Sequence, residues 1–361
     1  MKELFSLDPE VTFLNHGSFG ACPRPVFEVY QQWQRELERE PVEFIIRRLP
    51  DLLAEARAAL AEYVGAQADD LTFVPNAGTG VNMAARAVEL QPGDEVLATD
   101  LEYGALNFTW EWICARTGAQ YVRVPWDELF EHVTERTRVL YVSHITSETA
   151  LLLPVEELVA RGRELGLVTI VDGAHAPGHV PLDLESLGAD FYAGNCHKWM
   201  CGPKGAAFLW VEPEWQERVD GAIVSWGYAD DANTFLSRTE LQGSRDSSAY
   251  LSVPAAIAFV REHDDATRCV ALAREARREL CALTGEEPIA PEHMVQRMAS
   301  FRVPGDSHEL QRRLWEEHRI EIPAMRNDLM RISVAMYTDR EDVERLLDAL
   351  ARLLTVSRSP A

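Results

Sequence analysis

The chain has 361 residues, of which 47% are apolar, and its 35 basic and 58 acidic side chains give a formal charge of −23. That length supports a large domain and a smaller one, each with its own core, and the apolar content is that of a globular protein rather than a disordered one. Such an acidic surface argues against non-specific nucleic-acid binding and against attraction to anionic lipid, so a phosphate-bearing ligand must be held by local donors.

The first ten residues contain three acids and no apolar core, which does not fit a secretory leader. No run reaches the apolar length needed to cross a bilayer. The six cysteines, at positions 22, 114, 196, 201, 269 and 281, form neither a CxxC pair nor a zinc-type cluster. They read as free thiols in a reducing cytoplasm.

Residues 13–20, F-L-N-H-G-S-F-G, are too glycine-rich for a helix and read as a shaped loop. His16 there either lines a site or is a turn histidine satisfied by backbone. A helix is expected over 23–40, with Pro25 in its first turn. Another is expected over 51–63, where Leu52, Leu53, Ala56, Leu60 and Tyr63 share a face and Gly65 stops the run. The strand 71–74 leads into P-N-A-G-T-G and then a helical pattern through Val81, Ala84, Ala85 and Val88. Strand, glycine-rich turn and helix start make an anion site, because free N–H groups and the helix dipole point at a phosphate. Gly78 and Gly80 allow close backbone approach and Thr79 adds a hydroxyl. The turn is neither a P-loop nor the dinucleotide fingerprint.

The strand 95–99 is followed by L-E-Y-G-A, where Tyr103 either stacks on a ring or is an ordinary helix-start tyrosine. A helix over 107–117, a strand over 120–124 and a strand over 138–144 come next, the last ending in the polar turn Ile145-Thr146-Ser147. A helix over 155–165 closes at Gly166. The strand from 168 ends in V-D-G-A-H-A-P-G, and the strand 190–193 runs into G-N-C-H-K-W. One more strand is expected over 205–211. Most of these strands are separated by helices, which implies a mainly parallel sheet with helices on both faces. Residues 226–246 are polar and end in L-Q-G-S-R-D, with the look of an ordered functional loop. From 251 the pattern changes to a helix (253–283), a strand (299–303), a helix (308–318), strands at 320–324 and 330–335, and a helix (340–354). The expected organisation is a large domain over 1–250, which includes the N-terminal segment, and a small α+β domain over 251–361.

Two apolar strands thus end in titratable groups, Asp172 on one and His197-Lys198 just beyond the other, where an α/β sheet presents its chemistry. A lysine at the mouth of an apolar strand loses its charge through burial, and the neutral amine can attack an aldehyde. A carboxylate kept ionised at a buried strand end needs a cation, and a protonated pyridine nitrogen would serve. An acid and a lysine so placed can grip opposite ends of one aromatic cofactor, pyridoxal phosphate (PLP). Taken singly, each is more often structural, Asp172 as a turn cap and Lys198 as a solvated surface lysine.

With N-H-G-S-F-G, N-A-G-T-G-V-N, L-E-Y-G-A, S-H-I-T-S, V-D-G-A-H-A-P-G and N-C-H-K-W in this order, the chain resembles the class V aminotransferase superfamily of fold-type I PLP enzymes, in the branch similar to isopenicillin N epimerase. The resemblance runs from residue 13 to the L-M-R-I-S segment. It implies the fold-type I PLP-dependent transferase architecture: a mainly parallel central sheet sandwiched by helices, plus a smaller C-terminal α+β domain. It implies that Lys198 forms the Schiff base, that Asp172 pairs with the pyridinium, and that His175 lies on the ring-hydroxyl side. Tyr103 then stacks on the ring. Gly78, Thr79, Ser147, Asn195 and His197 contact the cofactor, and Gly243 and Ser244 reach the phosphate of a neighbouring subunit in a homodimer. Arg331 forks onto a substrate carboxylate, and His16 is a further substrate contact. Gly78 stands where relatives often carry threonine, which removes one hydroxyl contact. The cysteine desulfurases of the family need a loop thiol, and residues 316–326 hold none; Cys281 is the nearest upstream and reads as a buried helix residue.

The expected activity is therefore PLP-dependent chemistry at the Cα or Cβ of an amino acid, as an epimerase, a C–S lyase or an aminotransferase. Epimerisation needs a second acid opposite Lys198, for which Tyr103 and His16 are the candidates. A catalytically silent α/β binding protein and a nucleotide-dependent enzyme are the other readings, the latter disfavoured by the missing phosphate motifs.

Overall fold

A computed structural model describes residues 1–229 and 233–357. The sequence-predicted loop 226–246 and the end of the small domain therefore fall partly outside the described residues.

Seven strands form the central sheet. In spatial order they are Leu71–Val74, Ala207–Val211, Phe191–Asn195, Val168–Gly173, Thr137–Ser143, Glu95–Thr99 and Gln120–Val124. All neighbours run parallel except Ala207–Val211, which is antiparallel to both strands beside it. Every strand expected in the large domain is present. The central ones are continuous apolar runs because helices cover both faces. Leu140, Val142, Val171 and Tyr192 pack into one layer, while Tyr141, Ile170, Phe191 and Ala193 pack into the opposite one. Alternation along each strand thus assigns successive side chains to two separate cores. Asp190 fixes the entry of the lysine-bearing strand: its carboxylate accepts from the Thr169 amide at 2.7 Å and hydroxyl at 2.8 Å, and from Trp215 Nε1 at 3.0 Å.

The C-terminal region has its own three-stranded antiparallel sheet, Ala324–Met325, Leu329–Ser333 and Met298–Arg302, packed against the helices Ala266–Thr284, Ser307–His318 and Arg340–Ser357. Three expectations change here. The helix predicted over 253–283 is two helices, Val253–His263 and Ala266–Thr284. Asp265 caps the second through the Arg268 amide at 2.9 Å, and Asp264 turns aside to pair with buried Arg297. The strand predicted over 320–324 splits around Pro323. Ile320–Glu321 pairs in parallel with Thr12–Phe13, and Ala324–Met325 pairs with Leu329–Ser333. The loop predicted over 13–20 contains a short helix, His16–Phe19. The N-terminal segment is thereby hydrogen-bonded into the C-terminal unit, and Leu14 is buried in that unit's core beside Leu272, Phe301 and Ile332. Among the described residues no helix is long and apolar enough to cross a membrane.

Candidate active site

The C-terminal ends of three neighbouring strands and the start of the helix Ala77–Ala87 open onto one cavity of about 800 Å³. All the site residues expected from the sequence line it, except His16, Gly243 and Ser244.

Lys198 stands in a tight turn between the strands Phe191–Asn195 and Ala207–Val211. The amides of Cys196 and His197 both donate to Ala206 O, at 3.0 and 3.1 Å, and Cys201 N closes the turn onto Lys198 O at 2.9 Å. This fixes the base of the side chain and sends its amine into the cavity, with Nζ 3.1 Å from His175 Nε2. Burial lowers the amine pKa to about 7; the Arg331 guanidinium adds to that, and Asp172 opposes it. A neutral amine is thus abundant near neutral pH. The sign gives a prediction. The depressed group gains its reactive neutral form as pH rises through about 7, so the rate at which apo-enzyme captures PLP should climb with a midpoint near 7 and level off above it. Stopped-flow absorbance measures this; a midpoint near that of free lysine would contradict it.

Asp172 is the penultimate residue of the strand Val168–Gly173 and is 4% exposed. It accepts from the Ala174 amide at 2.9 Å. Burial raises its pKa, with that hydrogen bond and Lys198 opposing. Such a carboxylate remains ionised only with a cation beside it. His175 is buried; its Nδ1 has no hydrogen-bond partner, and burial holds its pKa well below the usual histidine range.

The glycine-rich turn opens the helix Ala77–Ala87 at the cavity wall. Asn76 caps the helix, its Oδ1 accepting from Thr79 N at 2.8 Å and from Thr79 Oγ1 at 3.2 Å. Asn195 Oδ1 accepts from Ala77 N at 2.8 Å, so the residue three before the lysine anchors the phosphate-type turn. His197 Nδ1 contacts Ala206 O at 3.0 Å, and burial lowers its pKa to about 4.

Arg331, only 1% exposed, sits in the middle strand of the C-terminal sheet. Its Nη1 donates to Ser147 O and its Nη2 to Ser18 Oγ at 3.1 Å, while its Nε has no partner. Burial lowers its pKa to about 10, with Glu148 opposing, so it stays charged at neutral pH. Tyr103 is the N-cap residue of the helix Gly104–Thr117 and is 48% exposed at the cavity wall.

His16 departs from expectation. It is 1% exposed and does not line the cavity. Its Nδ1 meets Tyr337 Oη at 2.9 Å and its Nε2 meets Lys198 O at 3.0 Å. The next residues, Gly17, Ser18 and Phe19, line the cavity instead. Gly243 and Ser244 are exposed and do not line their own chain's cavity. Sequence reasoning missed Glu102, which is fully buried and accepts from Thr99 Oγ1 at 2.6 Å, Ser143 N at 3.0 Å and Ser143 Oγ at 2.5 Å. Burial raises its pKa to about 7 despite those hydrogen bonds. The only cue was an acid directly before Tyr103. It also missed Ser18, Asn76 and Glu148, the last of which pairs with Arg326 at 2.8 Å near the cavity; Asn76 alone had a cue, as a preferred cap before a helix start.

An amine beside a buried acid, an anion site at a helix start and a guanidinium with a free donor together fit a flat aldehyde cofactor with a basic ring nitrogen and a phosphate. The sheet order and this donor set are those expected of a PLP-dependent α/β enzyme.

The chain belongs to the class V aminotransferase family, whose model (Aminotransferase class-V) matches residues 26–346. It is 38% identical to isopenicillin N epimerase of Amycolatopsis lactamdurans, over 98% of this chain and 97% of that one. It is 35% identical to isopenicillin N epimerase of Streptomyces clavuligerus, over 96% of each. Two structures of a lyase, C-DES, share its fold. One, a complex of this cystine C–S lyase with its product cysteine persulfide, has a TM-score of 0.84 at 25% identity, covering 95% of this chain and 98% of that one. The other, with glycine covalently linked to the PLP cofactor, has a TM-score of 0.85 at 24% identity, covering 97% and 99%. The protein is therefore a PLP-dependent enzyme acting on an amino acid.

Proposed function

We propose that this enzyme removes and returns the α-proton of a carboxylate-bearing amino acid, with epimerisation as the net reaction. One observation carries the reading: Lys198, Asp172 and Arg331 converge on a single cavity whose lining contains no cysteine among the described residues. The missing thiol speaks against persulfide formation, and Cys281 is buried in the helix Ala266–Thr284. The two epimerase relatives, matched over nearly their whole length, support the net reaction.

When bound, PLP supplies an electron sink for the pair left on the substrate's α-carbon. The remaining work falls to the chain. Asp172 would hold the ring nitrogen protonated, and His175 would meet the ring-hydroxyl side. The turn at Gly78 and Thr79, with Asn195 and His197, would take the phosphate. Tyr103 would cover one ring face. Arg331 would turn its free Nε and a terminal nitrogen onto the substrate carboxylate, while Ser147 O and Ser18 Oγ keep the guanidinium aimed. The Lys198 amine takes the α-proton as general base, its depressed pKa suiting neutral pH. Of the two groups weighed as second acid, His16 is buried behind Lys198, which leaves the Tyr103 hydroxyl to serve the other face.

The test is holoenzyme incubated in D₂O with amino acids and N-terminal aminoacyl peptides, following α-deuterium, chirality, keto acid and sulfide. Deuterium gain with inversion is expected. Sulfide with a keto acid would replace the reading with β-elimination, and keto acid without sulfide would replace it with transamination. Tyr103→Phe, which keeps the ring, should retain α-deuterium exchange while inversion falls at least about tenfold; equal loss of both would remove Tyr103 from the proton path.

We also propose a homodimer that completes each site. Phe108 (71% exposed) and Trp112 (57%) lie on the helix that Tyr103 caps, and Ile223, Val224 and Trp226 (80%) follow cavity-lining Ala222. Ile223 N donates to Gln242 Oε1 at 3.1 Å, which joins that segment to the Gly243-Ser244 loop. So large an apolar rim beside a cavity is characteristic of an interface. Light scattering should give about 81 kDa, twice the chain mass of 40.6 kDa; fully PLP-loaded monomer would contradict this. The free thiols support a reducing, cytoplasmic setting.

A further inference from the structure

The turn Asn15–Gly20 touches both chemical ends of the cavity. On one side, His16 Nε2 meets Lys198 O at 3.0 Å. Gly20, at φ +70°, is packed so tightly on the lysine turn that a Cβ there would lie 2.1 Å from His197 O and 3.0 Å from Lys198 Cα. On the other side, Ser18 Oγ accepts from Arg331 Nη2 at 3.1 Å, and Gly17 N donates to Ser333 Oγ at 3.1 Å. A Cβ at Gly17 would lie 2.5 Å from Met298 Sδ and 3.5 Å from Arg331 Nη2. The turn is itself held: Ser18 Oγ donates to Asn15 Oδ1 at 2.5 Å, and Asn15 Nδ2 to Glu321 Oε1 at 2.9 Å.

The chemistry of these contacts fixes the tautomer of His16. A carbonyl only accepts, so Nε2 carries the proton toward Lys198 O. Nδ1 is then the acceptor, and the Tyr337 hydroxyl donates to it. Burial lowers the pKa of His16 to about 3, so the ring stays neutral and keeps both bonds across the working pH range. Trp199, next after the lysine, packs on the ring at 5.0 Å between centroids and closes it off.

We propose that the turn Asn15–Gly20 is a spacer that sets the separation between the Lys198 amine and the Arg331 guanidinium, with His16 as its positioning residue. Proton transfer at the α-carbon requires the carboxylate and the amine to be held in one geometry, and a shift of about 1 Å costs on the order of 10²-fold in rate. Lys198 and Arg331 belong to the large and C-terminal units respectively, and this turn is hydrogen-bonded to both. The inference rests on the roles given to those two residues under the proposed function.

The test uses PLP-loaded His16→Leu, His16→Gln and Tyr337→Phe, with rates expressed per borohydride-reducible site. The two variants that lose a bond outright, His16→Leu and Tyr337→Phe, should still carry the reducible cofactor. Their kcat for α-proton exchange should fall about 10–100-fold, and the pH midpoint for PLP capture by their apo forms should move by about half a unit or more. His16→Gln, whose amide can span the same two partners, should recover part of both. Tyr337→Phe deletes a single hydroxyl, so it keeps the test open if His16→Leu does not fold. If His16→Leu and Tyr337→Phe lose thermal stability but keep native kcat per site and the native midpoint, the spacer role is wrong. That outcome is separable from failure of the underlying reading, which would show as absent labelling of Lys198 in the native enzyme.

Discussion

Replacing Lys198 with alanine should lower kcat by roughly 10⁴-fold, because the variant loses the general base for the α-proton. The same change should abolish the borohydride-reducible link to the cofactor. PLP itself should remain bound, more weakly, through Asp172 and the anion site at Gly78 and Thr79, since those groups lie on other strands and on a helix start. Lys198→Arg should behave like alanine: a guanidinium keeps its charge at any accessible pH and forms no imine. Retained exchange of the α-proton in Lys198→Ala would assign the base elsewhere.

Arg331→Leu should show the second large loss. Hydrogen bonds to charged groups contribute about 1.5–3 kcal/mol each. Losing a two-point grip on a carboxylate should therefore lower kcat/KM by about 10²–10⁴-fold, with most of the change in KM. Arg331→Lys should recover only part of it, because an ammonium has no planar fork to match the carboxylate. Arg331→Leu should also raise the pH midpoint of PLP capture, because the guanidinium helps to lower the Lys198 pKa, whereas Arg331→Lys keeps a positive charge there. An equal fall in kcat with KM unmoved would show that Arg331 acts in the transition state instead of in substrate binding.

The sheet, and the meeting of Asp172 and Lys198 at one cavity, were readable in the sequence because both depend on local pattern. Apolar strands closed by Asp172 and by Asn195-Cys196-His197-Lys198 announce buried charge at a strand end, and Asn76 before Ala-Gly-Thr-Gly announces a capped helix start. What could not be read depends on partners far along the chain. His16 looked like a substrate contact, and its burial follows from Tyr337 and Trp199, neither nearby in sequence. The single helix expected over 253–283 breaks because Asp264 is drawn to Arg297, 33 residues further on. Ser18 had no cue, since its partner Arg331 lies 313 residues away. Glu102 is a buried acid held by Ser143, a pairing that only sheet order creates, because Glu95–Thr99 and Thr137–Ser143 are neighbours across a crossover. The role proposed for Gly243 and Ser244 calls for a second chain, because neither lines the cavity of its own.

The central claim is that Lys198 carries the cofactor, and the chain makes it unusually direct to test, because it contains only three lysines, Lys2, Lys198 and Lys204. Lys2 is paired with Asp339 and Asp342, and Lys204 donates to Gly20 O at 2.9 Å. The measurement is borohydride reduction of PLP-loaded enzyme followed by peptide mass mapping. The phosphopyridoxyl group should appear on Lys198 at near one per chain, with Lys2 and Lys204 unmodified. Labelling of Lys204 or Lys2 in its place, or loss of the yellow colour without a covalent adduct, would contradict the account.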